Sequence, residues 1–103
     1  MPAAYLGKGT FFVLEADGES MIEAGIEPGD LIVVRQQSTA NPGDIVVALT
    51  STTDSTATLK RYYPEPKIKK IRLHPENSEM EDQYYDDVII QGVAIRVLKN
   101  VEQ

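Results

Sequence analysis

Two short stretches built alike limit what this chain can fold into more than any other feature. Glu27-Pro28-Gly29-Asp30 runs into Leu31-Ile32-Val33-Val34, and Asn41-Pro42-Gly43-Asp44 runs into Ile45-Val46-Val47-Ala48. Proline presets the backbone angle of the second turn position and glycine accepts the positive angle of the third, which is the pattern of a type II turn. The β-branched residues that follow favour extended chain. Each turn therefore launches a well-buried strand, and no longer repeat accompanies the pair.

The rest of the chain reads in the same terms. Thr10 to Ala16, dense in Phe, Val and Leu, predicts a strand. Ser20 to Ala24 predicts one helical turn, with Ser20 as its cap and Glu23 at the capping-box spacing. The polar run Thr50 to Thr56 suits a hairpin tip. Ala57 to Tyr63 predicts a strand ended by Pro64 and Pro66, and Ile68 to His74 another, closed by Pro75. Glu76 to Asp87, rich in acids with Asn and Ser, reads as a long surface connection. Val88 to Val97 is the last apolar stretch, and Gly92 inside it predicts a bulge or a close backbone approach. Six or so short strands with hardly any helical periodicity predict a mostly β, compact antiparallel fold. Residues 1–9 read as a lead-in and residues 10–103 as a single domain, the size a chain of 103 residues allows.

Composition excludes several classes of function. A net charge of −6 argues against a grip on nucleic-acid phosphates, which requires a clustered excess of Lys and Arg. One basic cluster exists, Lys67, Lys69, Lys70 and Arg72, but it is interleaved with Ile68, Ile71 and Leu73 as on the wet face of a strand or hairpin. No apolar run approaches the length a bilayer needs, and the amino terminus has no secretory-signal pattern. With no cysteine there is no disulfide framework and no thiolate chemistry, and a cytoplasmic setting fits. His74, before Pro75, has no second ligand at metal-binding spacing and reads as a turn histidine, so neither metal nor cofactor is implied.

The chemistry rests on Asp17-Gly18-Glu19-Ser20-Met21, a polar turn directly after the first strand. Glycine two residues ahead of a serine permits a sharp turn that exposes the hydroxyl. The same serine is equally readable as a helix cap or a solvent-facing turn residue. Lys60, 40 residues on, shares a face of its strand with Thr56, Thr58 and Tyr62. A strand lysine is either an edge or solvent residue or, with cysteine absent and the histidine poorly placed, the base for a nucleophilic serine. A free lysine is neutral only about 0.04% of the time at pH 7. Such a base works only if burial disfavours its charge, and against the pull of Asp17, Glu19 and Glu23.

Taken together and in order, these motifs resemble the self-cleaving carboxyl-terminal domain of LexA-type SOS repressors. The resemblance runs through Asp17-Gly18-Glu19-Ser20-Met21, Gly25-Ile26, Pro28-Gly29-Asp30-Leu31, Gly43-Asp44-Ile45-Val46-Val47-Ala48 and Thr58-Leu59-Lys60-Arg61. It continues through Leu73, Pro75-Glu76-Asn77-Ser78-Glu79 and Ile90-Gln91-Gly92-Val93-Ala94, covering nearly the whole chain from Phe11 onward. UmuD and phage repressor carboxyl domains share the pattern, and signal peptidases share the serine–lysine logic and a similar Ser-Met motif.

The resemblance implies a serine–lysine peptidase, with Ser20 as nucleophile, Lys60 as general base and the backbone N–H groups of Glu19 and Ser20 as oxyanion donors. It further implies a homodimer, with Val88 to Val101 available for the interface, and cleavage stimulated by a RecA filament on single-stranded DNA. The family's cleaved Ala-Gly pair lies in an interdomain loop well upstream of the serine, behind an amino-terminal DNA-binding domain. Here 19 residues precede Ser20, and the one Ala-Gly pair, Ala24-Gly25, lies too close to it to enter its own site. The chain is therefore expected to be a carboxyl-terminal piece, with residues 1–9 a remnant of the connector, without its substrate loop and touching DNA only through the missing domain. Two other functions stay open: a UmuD-like polymerase accessory or phage repressor domain, and a non-catalytic dimerisation module.

Overall fold

The computed structural model describes residues 9–50 and 57–100. The expected lead-in, all but Gly9, and the expected hairpin tip, all but Thr50, lie outside the described residues. Seven strands form one sheet: β1 (Phe11–Glu15), β2 (Leu31–Gln36), β3 (Ile45–Leu49), β4 (Ala57–Glu65), β5 (Lys70–His74), β6 (Gln83–Tyr85) and β7 (Ile89–Leu98). Their order across the sheet is β1-β2-β7-β3-β4-β5-β6. Every pairing is antiparallel, as the mostly β reading expects.

Both proline-glycine turns form as their residues dictate. Gly29 and Gly43 take φ of +94° and +90°, the left-handed angles that a side chain would strain. Each turn closes with the same pair of hydrogen bonds. Asp30 N–H donates to the Glu27 carbonyl and Asp44 N–H to that of Asn41, both at 3.0 Å. The aspartate carboxylates in turn accept the N–H of Glu27 at 2.8 Å and of Asn41 at 2.9 Å. Asp30 is 1% exposed. It also accepts from Lys99 Nζ at 2.5 Å and from the Asn100 N–H at 2.9 Å, which ties the end of β7 to this turn. Lys99 first, then the two N–H donors, hold the Asp30 carboxyl down at about 2.

Differences from the sequence reading have local causes. β4 runs through Pro64 to Glu65, because β3 pairs with β4 only as far as Arg61 and leaves the proline's donorless side open. The strand expected from Ile68 begins at Lys70, since residues 66–69 make the turn and Lys69 sits at φ +56°. The expected surface connection contains β6, which pairs Gln83, Tyr84 and Tyr85 with β5. In β7 the register slips between the partners of Val47 and Ala48, and again between those of Val33 and Val34. Gly92 lies at the first slip, and a Cβ there would come within 2.6 Å of the Arg35 carbonyl oxygen. Bulge and close approach thus occur together.

The sheet buries side chains on both faces. On one, Met21 and Ile26, from the segment between β1 and β2, pack with Ile32, Val34 and Val47. On the other, Val46, Ala48 and Ile90 gather Tyr62 and Val93. The first cluster matters for function, because it fixes the segment that carries Ser20.

Candidate active site

Leaving β1, the chain is held on both sides of Ala16: its N–H donates to the Asp30 carbonyl at 2.7 Å and its carbonyl accepts the Gly29 N–H at 3.0 Å. It then turns at Gly18, φ +82°, and Met21 drops into the core at 3% exposure. Ser20 is half-buried between these anchors. The expected capping turn does not form around it. A 3-10 turn covers Ile22–Ala24, so the cap position falls on Met21, which makes no side-chain cap. Glu23 is drawn elsewhere: its carboxylate accepts the Ser78 N–H and hydroxyl, both at 2.8 Å, and these two bonds lower its pKa. No described residue hydrogen-bonds the Ser20 hydroxyl, and the N–H groups of Glu19 and Ser20 have no backbone acceptor among the described residues.

Lys60 lies in β4 opposite Val46 and is 8% exposed. Its Nζ donates to Thr58 Oγ1 at 2.5 Å, from two residues back along the strand. Burial alone pushes its pKa below the ordinary lysine range. Alternation is kept: Leu59 packs with the first core cluster and Tyr62 with the second. Thr56, expected on the face of Lys60, lies outside the described residues. Ser20 and Lys60 line one cleft of about 180 Å³ together with Leu14, Gly18, Met21 and Thr58. The cleft runs along β4 where β5, which pairs only from Arg61, no longer covers its edge.

Sequence reasoning overlooked what holds the turn from behind. Asn77, 8% exposed, donates its Nδ2 to the Glu19 carbonyl at 2.8 Å. The neighbouring Glu76 carbonyl accepts the Glu23 N–H at 2.8 Å. These contacts join segments more than 50 residues apart, and nothing local in Pro75-Glu76-Asn77 announces them. His74, the last residue of its strand as expected, ends β5. Its Nδ1 lies 2.6 Å from Asp82 and its Nε2 3.0 Å from Glu76, two carboxylates that folding brings to it. Two of the four residues of the basic cluster are paired: Arg72 with Glu65 and Asp82, Lys70 with Asp86. Among the described residues no three His, Asp or Glu side chains converge to hold a metal ion, and no helix is long and apolar enough to cross a membrane.

A single antiparallel sheet that sets a turn serine and a buried lysine on one cleft defines a narrow class of β-domains. The chain belongs to the Peptidase S24-like family, whose profile matches residues 1–95. It is 48% identical over 101 residues to the LexA repressor of Exiguobacterium sibiricum, an alignment covering 98% of this chain and 48% of that protein. To the LexA repressor of Oceanobacillus iheyensis it is 51% identical over 90 residues, 87% of this chain and 42% of the relative. The LexA repressor of Staphylococcus epidermidis is 49% identical over 90 residues with the same coverage. The chain thus spans about half the length of the curated relatives it matches.

Proposed function

We propose that this chain is the carboxyl-terminal self-cleaving and dimerising domain of a LexA-type SOS repressor, with Ser20 as nucleophile and Lys60 as general base. The observation that carries this reading is one cleft lined both by a serine whose hydroxyl has no hydrogen-bond partner among the described residues and by a lysine whose charge burial disfavours. The neutral amine takes the Ser20 proton as Oγ bonds to the peptide carbonyl carbon. Thr58 Oγ1, accepting one N–H of Lys60, leaves the amine lone pair for that proton. The N–H groups of Glu19 and Ser20 steady the resulting oxyanion. The C–N bond then breaks, and the Lys60 ammonium returns its proton to the departing amine. Water, deprotonated by Lys60, opens the acyl ester and restores Ser20.

On this reading residues 10–103 form the working unit, residues 1–9 belong to the connector, and the bond cut lies in the repressor's own interdomain loop. A RecA filament on single-stranded DNA favours the closed state in which the docked loop covers the lysine, a shift of population. Two copies pair through exposed apolar side chains. Leu31 and Leu98, partners on β2 and β7, are 40% and 46% exposed and offer such a contact. β7 pairs with β2 from Gly92 to Leu98 but with β3 only from Ile89 to Val93, so beyond Val93 it has no strand partner on the β3 side among the described residues; Val101 lies outside the described residues. DNA is reached through an amino-terminal domain of the repressor, and the setting is cytoplasmic. The LexA repressor name carried by the relatives favours this reading over a polymerase accessory.

The test is cleavage in trans of the full-length Exiguobacterium sibiricum repressor with its own matching serine replaced by alanine. The parent chain is expected to cut it, and Ser20→Ala and Lys60→Ala to lower the rate by roughly 10³-fold or more while both variants still fold. A Ser20→Ala protein that cuts as well as the parent overturns the assignment.

A further inference from the structure

We infer that Asn77 is a positioning residue that aims the Ser20 N–H into the cleft by holding the other end of the same peptide group. The inference rests on the peptidase reading above and adds to it a residue 57 positions from the nucleophile. The Glu19 carbonyl and the Ser20 N–H belong to one planar trans unit and point in opposite directions. Fixing the oxygen therefore fixes the hydrogen. Asn77 Nδ2 holds that oxygen at 2.8 Å, closer than the other donor to it, the Ile22 N–H at 3.4 Å.

The side chain that does this has no freedom to turn. Its Oδ1 accepts the Glu79 N–H at 2.9 Å. An N–H donor on one side and a carbonyl acceptor on the other admit a single amide orientation. Asn77 is also buried, and its segment is fastened to the nucleophile's turn twice more, from Glu23 N–H to the Glu76 carbonyl and from Ser78 to the Glu23 carboxylate. Held from behind in this way, the Ser20 N–H faces away from the loop of residues 75–79 and has no backbone acceptor among the described residues. An oxyanion donor acts through such advance orientation, because it need not reorganise as charge develops.

Asn77→Asp keeps the shape and the acceptor for Glu79 but replaces the donor facing Glu19 with a carboxylate oxygen. It is expected to lower kcat for trans cleavage by about 10- to 100-fold, less than or equal to the loss of a whole oxyanion donor. KM and the pH midpoint of the rate should stay at the parent's values, since Lys60 is untouched. Ser78→Ala, which loosens the same loop without touching the Glu19–Ser20 peptide, should keep kcat within about twofold. The second readout is the ¹⁵N–¹H residual dipolar coupling of the Ser20 amide, which should change in Asn77→Asp and hold in Ser78→Ala. Asn77→Asp with parental kcat and parental coupling overturns the inference, as does a loss of rate that Ser78→Ala reproduces. Should Ser20→Ala cut like the parent, the peptidase reading falls instead, and the Ser20 coupling alone decides whether Asn77 sets that peptide plane.

Discussion

Lys60 is where burial and chemistry oppose each other. The residue is 8% exposed, its amine donates to the Thr58 hydroxyl, and burial is what lowers its pKa. Of the acids that the sequence sets against that lowering, Asp17 lines the same cleft but is exposed to water, as is Glu19, so solvent screens both; Glu23 is occupied by Ser78. The sign of the linkage follows. Between the lowered value and about 10.4, the ordinary lysine value, the unfolded chain binds more protons than the folded one, so stability rises with pH across that window. Below it the folded protein carries a buried ammonium at a cost. Lys60→Met, which removes the charge and keeps most of the volume, is therefore expected to be more stable than the parent at pH 7. The advantage should shrink as pH nears about 10. Calorimetric unfolding across that range measures it, and an advantage independent of pH contradicts the assigned cause.

At the scale of elements, the turns and β7 carry most of the architecture. Gly92 sits where β7 changes register, and an added Cβ there meets the Arg35 carbonyl and the Val34 side chain. Neither neighbour is the loose end of a flexible side chain, so Gly92→Ala is expected to cost about 1–3 kcal/mol, read as a lower urea midpoint with an unchanged slope. Unchanged stability would mean that β7 lies farther from β2 than described. Elements governed by nearest-neighbour chemistry were legible in the sequence: two proline-glycine turns, the β-branched strands behind them and an irregularity at Gly92. Elements governed by their neighbours in the sheet were not. Pro64 lies inside β4 because one side of that strand is open, and β6 exists only because β5 offers it an edge. The cap expected at Ser20 failed because the 3-10 turn starts at Ile22 and the Glu23 carboxylate finds Ser78 instead.

At the scale of the whole molecule, the candidate site is made by connections the sequence does not display. Ser20 and Lys60 were legible as residue types on strands of known character, but that they share a cleft depends on the sheet order. Asn77 was legible only as part of a resembling motif, since its partner lies 58 residues away. Self-association belongs to this scale too: if Leu98 lies in the proposed dimer contact, Leu98→Glu is expected to shift sedimentation from dimer toward monomer while leaving thermal unfolding of the single chain intact. Unchanged sedimentation of a dimeric parent would place the contact elsewhere. The central claim, that a buried amine activates the serine beside it, is tested most directly by the pH dependence of Ser20 acylation with a fluorophosphonate, located by mass spectrometry. The expected result is modification confined to Ser20, its rate climbing as pH rises from 7 toward about 10 and lost in Lys60→Ala. A rate flat across that range, or one that survives the loss of Lys60, contradicts the account.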